Sequence, residues 1–233
     1  ESIRSGTWRG YTDKPITDVV HIGIGGSQLG PELITQALSK YATASPKIHF
    51  VANIDGSDLA RALSSLNPAT TIFIVASKSF STLETLENAN SARNWFLERT
   101  CNPTAIAQHF IGITNNIAAA KEFGLIEENL FAMWSWVGGR YSLWSAMGLP
   151  AVIAIGSESF DKLLSGAALV DRHFVQTSDT ENLPLICALA GLWNYNLLGC
   201  QSLAVLSYDE RLRLLPDYLQ QLEMESNGKS VSR

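Results

Sequence analysis

Residues 17–37, TDVVHIGIGGSQLGPELITQA, set a strand, a glycine turn and a helix start in immediate succession. Residues 19–24 are β-branched and almost continuously apolar, which suits a strand covered on both faces of a parallel sheet. Gly25 and Gly26 let the backbone take positive φ and approach a ligand closely, and Pro31, with Glu32 beside it, stands where a first helical turn tolerates proline. Free N–H groups at such a helix start attract anions, phosphate above all. A plain strand-to-helix turn has the same local pattern, so this stretch alone leaves both readings open.

Working outward, the first helix extends to about Tyr41, and residues 48–53 (IHFVAN) read as a second strand. A short amphipathic helix over 58–66 follows, with Ser57 as its expected cap, and Asn67-Pro68 ends it. Residues 71–76 (TIFIVA) make a third strand as hydrophobic as the first. Strand, helix, strand, helix, strand implies right-handed crossovers, so the fold class is α/β: a doubly wound parallel sheet flanked by helices, a Rossmann-like three-layer sandwich.

The third strand runs into SKSFST (77–82) and a helix over 83–98 whose Leu83, Leu86, Ala89, Ala92 and Phe96 fall on one face. Ser81 and Glu84 have capping-box spacing. This hydroxyl-rich loop, like the glycine turn, sits at a strand's carboxyl end, where ligands of open α/β sheets bind. Its hydroxyls and Lys78 suit phosphate, by oriented donors and a point charge. A capping loop with one solvated lysine would look similar.

Residues 109–114 (HFIGIT) suggest a fourth strand, 117–123 a helix stopped by Gly124, and 130–133 a short fifth strand. In WSWVGGRYSLWSAMG (134–148) Gly138 and Gly139 precede Arg140, and a long apolar helix is expected from Ser142. Arg140 could project into the same crevice or pair with a core-edge carboxylate. Further helices are expected over 160–174, 185–198 and 209–222, a polar linker at 178–184 and a strand at 202–206. QQLEMESNGK (220–229) places Gln221, Glu223 and Glu225 at a helix terminus, where the macrodipole disfavours a carboxylate, so either solvent or a catalytic duty holds it there.

Composition narrows the partners. The 233 residues are 46% hydrophobic and only 17% charged, below the roughly 25% usual for soluble domains, which suggests surface covered by further chain or a partner. A net charge of −5 argues against a broad nucleic-acid or anionic-membrane footprint. Cys101, Cys187 and Cys200 show neither CxxC spacing nor an even number, so no disulfide framework or zinc site is indicated and a reducing cytoplasm fits best. The apolar runs 143–155 and 185–198 are too short to span a bilayer. The start in ESIRSG and the end in SNGKSVSR suggest a piece of a longer protein.

Other constellations fit less well. Gly23, Gly25 and Gly26 invite a dinucleotide reading, with Asp55 for a ribose, yet the fingerprint needs glycine where Gln28 stands. There is no P-loop lysine spacing, no G-x-S-x-G elbow at Ser27 and no HExxH. His21 and His49, inside strands, read as packed and hydrogen-bonded. A dinucleotide-dependent oxidoreductase domain and a non-enzymatic sugar-phosphate-binding module remain the alternatives.

IGIGGSQLGP, VASKSFSTLET, WVGGRYSLWSAMG and QQLEMESNGK, in this order, closely resemble the glucose-6-phosphate isomerase family over nearly the whole chain. The resemblance implies two sugar-isomerase-type α/β domains, residues 1–175 forming the first and 176–233 a linker and the incomplete start of the second. It implies that Ser77, Lys78, Ser79 and Thr82 bind the substrate phosphate while Gly26 and Ser27 line the sugar. Gly139 and Arg140 would lie beside the reacting carbons, Gln221 would contact substrate, and Glu225 would be the general base. Ser79 and Ser81 stand where the family often has threonine, which keeps the hydroxyl. The implied reaction interconverts glucose 6-phosphate and fructose 6-phosphate through a cis-enediol, with no metal or redox cofactor, in a cytoplasmic homodimer without nucleic-acid or membrane partners. The family's ring-opening histidine and active-site lysine come from sequence beyond Arg233, so the fragment alone is expected to be inactive.

Overall fold

A computed structural model describes residues 1–42 and 46–229; residues 230–233, the end of the SNGKSVSR stretch, lie outside the described residues. Strands β1 (Asp18–Ile22), β2 (Lys47–Val51), β3 (Thr71–Ala76), β4 (Phe110–Thr114) and β5 (Leu130–Ala132) form a parallel sheet in the order β2-β1-β3-β4-β5. Between them run α1 (Leu29–Ala37), α2 (Gly56–Leu63), α3 (Leu83–Thr100), the single turn α4 (Ile106–His109) and α5 (Ile117–Phe123). After the sheet come α6 (Leu149–Ile155), α7 (Ser157–Gln176), α8 (Leu183–Leu192) and α9 (Leu215–Asn227).

Side-chain alternation divides the core between the two faces of the sheet. Val20, Ile22, Phe73, Val75 and Phe110 pack against α2, α3 and α5, while Val19, Ile72, Ile74, Ile111 and Ile113 pack on the side of Met147 and Ile153. Every residue of β3 is buried, as a parallel strand covered on both faces requires. Phe73 stacks on Phe110 with ring centroids 4.7 Å apart, and Phe96 of α3 closes on both edge-on. Fully burying each such ring stabilises the fold by about 1.5–3 kcal/mol. Because the chain leaves β1 first toward β2 and then toward β3, the strand order reverses between β1 and β3, and the crevice at their carboxyl ends is the expected ligand position.

Several expectations are corrected. Asp55, not Ser57, caps α2: its carboxylate accepts the Ser57 N–H at 2.9 Å and the Ser57 hydroxyl at 2.8 Å, which lowers its pKa. The Ser81/Glu84 capping box does not form, because the Ser81 hydroxyl donates to Ser79 Oγ and the helix begins after Thr82. Leu83 is 62% exposed, outside the face that Ala89, Ala92 and Phe96 bury. His109 ends α4 instead of opening β4.

The long helix expected from Ser142 is broken into 3-10 turns, Gly139–Trp144 and Ala146–Gly148, before α6 starts at Leu149 with Pro150 in its first turn. Serine hydroxyls compete for the backbone there: Ser142 Oγ donates to Gly139 O and Ser145 Oγ to Ser142 O, each at 2.6 Å. Residues 202–206 form no strand; Leu203 is 86% exposed, and a strand without a neighbour has no ladder. The helix expected over 185–198 is α8, capped by Asn182 and continued by a π-helical turn, Trp193–Leu197. That expected over 209–222 is a 3-10 turn, Glu210–Leu212, followed by α9.

The amino-terminal segment, which the sequence shows only as polar, docks firmly. Arg4 Nη1 donates to the carbonyls of Ile153 and Ala154 at 2.8 and 2.7 Å, at the carboxyl end of α6. Trp8 Nε1 donates to Gln108 O at 2.9 Å.

Candidate functional site

The crevice is walled on one side by the glycine turn. Gly25 has φ +60, where glycine is at home, and a side chain on it would meet the Gln221 amide. Gly26 has no room at all: a Cβ there would collide with the carbonyl of Gly139. The missing side chain of Gly26 lets the β1 turn and the 139–144 turn come this close, while a Cβ on Gly139 itself would meet nothing; Ser142 Oγ, 3.2 Å from Gly26 O and 2.6 Å from Gly139 O, ties the turns together. Ser27 presents its carbonyl to His21 Nε2 at 2.7 Å.

The other wall is the 77–82 loop at the end of β3. Phe80 takes φ +50 and buries its ring edge-on against Phe123, anchoring the loop. The carbonyls of Lys78 and Ser79 accept from Thr114 Oγ1 at 3.1 Å and Asn116 Nδ2 at 3.2 Å; of the loop's hydroxyls, those of Ser79 and Ser81 are on exposed residues, Thr82 is half-buried and Ser77 is buried. Ser77 Oγ lies 3.2 Å from Thr82 Oγ1, and Ser79 and Ser81 pair at 2.7 Å. Lys78 Nζ donates to Ser135 O at 2.8 Å and Val137 O at 2.7 Å. Those carbonyls carry no net charge, and among the described residues no carboxylate pairs with Lys78, so its charge and third donor remain for an anion at the amino end of α3.

Helix α9 brings in the third group. Tyr218 packs against Gly30 of α1, and this docking carries the last turns of α9 to the glycine turn. Arg140 Nη1 lies 3.5 Å from Glu225 Oε1 and Nη2 donates to Ser226 Oγ, while Gln221 Nε2 lies 3.4 Å from Glu225 Oε2. The guanidinium sits 4.9 Å from the Tyr141 ring centroid; contact with Tyr141 first, and the charge of Glu225 further, raise its pKa and hold it cationic. Arg140 answers the question of what keeps a carboxylate at this helix end. Arg140 Nε and Gln221 Oε1 are buried without partners among the described residues, open valences at the centre of the cluster.

The geometry thus gathers Gly26, Ser27, Gly139, Arg140, Gln221 and Glu225 into one cluster and Ser77, Lys78, Ser79 and Thr82 into another, bridged by Lys78 on the 134–140 loop. Ser142 and Ser226 were not singled out from sequence; each follows a chosen residue closely, and only the fold shows their contacts. Asp55, the candidate ribose ligand, spends Oδ1 on capping α2. His21 is hydrogen-bonded to Ser27 O of the glycine turn and His49 to Asp18 Oδ1 on the neighbouring strand. All three cysteines are exposed free thiols, and among the described residues no helix is long and apolar enough to cross a membrane.

The family model described as phosphoglucose isomerase matches residues 1–233. Among curated relatives, glucose-6-phosphate isomerase of Dechloromonas aromatica (strain RCB) is 53% identical over 233 residues, 100% of this chain and 44% of that protein. The Pseudomonas fluorescens (strain Pf0-1) protein of the same name is 55% identical over 229 residues, 98% of this chain and 41% of its own length. The chain therefore spans less than half the length of these relatives. A crystal structure of a glucose-6-phosphate isomerase from Chlamydia trachomatis superimposes with TM-score 0.85 at 34% identity, covering 99% of this chain and 42% of the other. A hypothetical protein from Thermus thermophilus gives TM-score 0.78 at 28% identity, over 98% of this chain and 52% of that one.

Proposed function

The chain belongs to the phosphoglucose isomerase family, and on that premise we propose that it carries the phosphate-binding crevice and proton-transfer base of an enzyme interconverting glucose 6-phosphate and fructose 6-phosphate. The observation that supports this reading best is the meeting of Arg140, Glu225 and Gln221 against the Gly25–Ser27 turn, beside a hydroxyl-rich loop at a helix start.

In this reading Ser77, Lys78, Ser79 and Thr82 hold the phosphate, and Gly26, Ser27, Gly139 and Gln221 line the sugar. Glu225 takes the proton from C2 of the open aldose and returns it to C1. Between the two steps the carbons share a cis-enediol, the C2 hydroxyl becomes the ketone, and the former aldehyde oxygen gains a proton. Electrons stay within the substrate, so no external oxidant or reductant enters. Arg140 stabilises the negative charge that develops on the enediolate oxygens. Place in glycolysis and gluconeogenesis, a homodimeric assembly, and the division into a first domain over 1–175 and the opening of a second over 176–233 belong to the same proposal. By itself the 233-residue chain binds phosphate without useful turnover, because it represents less than half of the relatives' length.

Glu225→Gln tests the reading. In a polypeptide of the relatives' length it lowers kcat by about 10²–10⁴ with circular dichroism unchanged, and solvent exchange at the substrate C2 position disappears by NMR. Substantial residual turnover would transfer the base role to another group. Fructose 6-phosphate protects the chain against thermal unfolding and NAD does not; the reverse would revive the dinucleotide reading. Binding of sugar phosphate without turnover by the long polypeptide would instead favour the non-enzymatic module.

A further inference from the structure

The Gly25–Ser27 turn is closed locally by Ser27 N–H to Ile24 O at 3.2 Å and Gln28 N–H to Gly25 O at 3.0 Å. Neither bond fixes its tilt over the end of β1. Two side chains from other parts of the chain reach its carbonyls: His21 from β1 beneath it, and Ser142 from the 139–144 turn beside it. We propose that His21 and Ser142 are positioning residues, which hold the turn by the carbonyls of Ser27 and Gly26 and so aim the N–H groups of Gly25 and Gly26 and the Ser27 hydroxyl at the sugar phosphate. The proposal rests on the functional reading above and names what sets the geometry of that site.

His21 carries the argument. It is fully buried, and a carbonyl only accepts, so Nε2 bears the hydrogen that goes to Ser27 O. Nδ1 is then a bare acceptor, and it has no partner among the described residues; the ring packs edge-on against Phe50 at 5.4 Å. A buried acceptor without a donor is destabilising, and a methionine in the same space would avoid it. Packing alone therefore argues against histidine here, and what it contributes in return is the bond to the turn. Burial lowers the imidazole pKa to about 4, which keeps it neutral and the donor constant around neutral pH. Ser142, also buried, shares its single hydrogen between Gly139 O and Gly26 O, at the point where Gly26 tolerates no side chain.

The test compares His21→Met, which removes the donor, with His21→Gln, which keeps a donor near the Nε2 position at similar volume, and adds Ser142→Ala. Hydrogen exchange of the 233-residue chain is expected to show the hydrogen-bonded amides of Ser27 and Gln28 exchanging at least about tenfold faster in His21→Met, with β3 amides as protected as before. His21→Gln stays within about threefold of the parent, and Ser142→Ala accelerates the same two amides. At pH 7.5 the melting temperature of His21→Met does not fall. In a polypeptide of the relatives' length, His21→Met raises KM for fructose 6-phosphate about tenfold while kcat changes less, the mark of lost binding geometry. Unchanged exchange in both His21→Met and Ser142→Ala overturns the proposal. So does equal damage by His21→Gln and His21→Met, or loss of β3 protection together with the turn. If His21→Met does not fold, Ser142→Ala decides by the same readout. A parent that takes no sugar phosphate would break the functional reading, and the exchange comparison would still decide whether these side chains hold the turn.

Discussion

All six residues of β3, TIFIVA, are buried, whereas α8, LPLICALAGL, leaves Leu183, Ile186, Leu189 and Leu192 between 41% and 63% exposed. The two segments are comparably apolar. β3 lies between β1 and β4 with helices over both faces, so each of its side chains finds a surface prepared by another part of the chain. Beyond Phe160 only Asn182 is buried among the described residues. Hydrophobicity states that a segment gains from leaving water; it does not supply the second surface. A helix apolar on every side, as α8 is, is built for burial.

Four measurements would break or sharpen this contrast. Phe96→Ala removes a fully buried ring and should cost about 3–5 kcal/mol in urea unfolding, against less than about 0.5 kcal/mol for Leu189→Ala. Comparable losses would mean that α8 is packed after all. The sheet should also carry a pH signature. Folded His21 takes up a proton only near pH 4, while the unfolded chain does so near 6.5. Stability is therefore complete above pH 6.5, declines by about 3 kcal/mol as pH falls toward 4, and levels off below. His109, whose pKa burial also lowers, adds in the same direction. Urea midpoints at pH 7.5 and 4.5 would show it; His21→Met should flatten the slope to the part that His109 supplies, and an undiminished slope would assign it elsewhere.

A smaller contrast concerns two glycines. Gly26→Ala drives a methyl into the Gly139 carbonyl and should cost about 1–3 kcal/mol, with weakened protection by fructose 6-phosphate. Gly166→Ala, in α7 with nothing near its Cβ, should stabilise by about 0.4–1 kcal/mol. A stabilising Gly26→Ala would show that the two turns do not approach as described.

Legibility followed the range of the forces involved. β3 was readable to the residue, and so was α5 with Gly124 in the left-handed position behind it, because periodicity and a stop signal act within a few residues. The choice between Asp55 and Ser57 as cap was not readable, since both are capping residues and the backbone at Asp55 decides. The Ser81/Glu84 spacing was present and went unused once Ser79 offered the Ser81 hydroxyl a partner. In the candidate site the residues could be named from four motifs, but not the carbonyls that hold Lys78, nor Ser226 on Arg140.

By itself the sequence determined the parallel sheet, the two loops at strand ends and the resemblance that names the family, because each is written in contiguous residues whose backbone preferences and spacing suffice. Only the tertiary structure decided that Arg140 meets Glu225, that Gly26 touches Gly139 and that a buried histidine holds the Ser27 carbonyl. The first two join segments far apart in the chain, and they exist because Tyr218 seats α9 on α1 and Gly26 lacks a side chain, a matter of matching surfaces that no local pattern encodes.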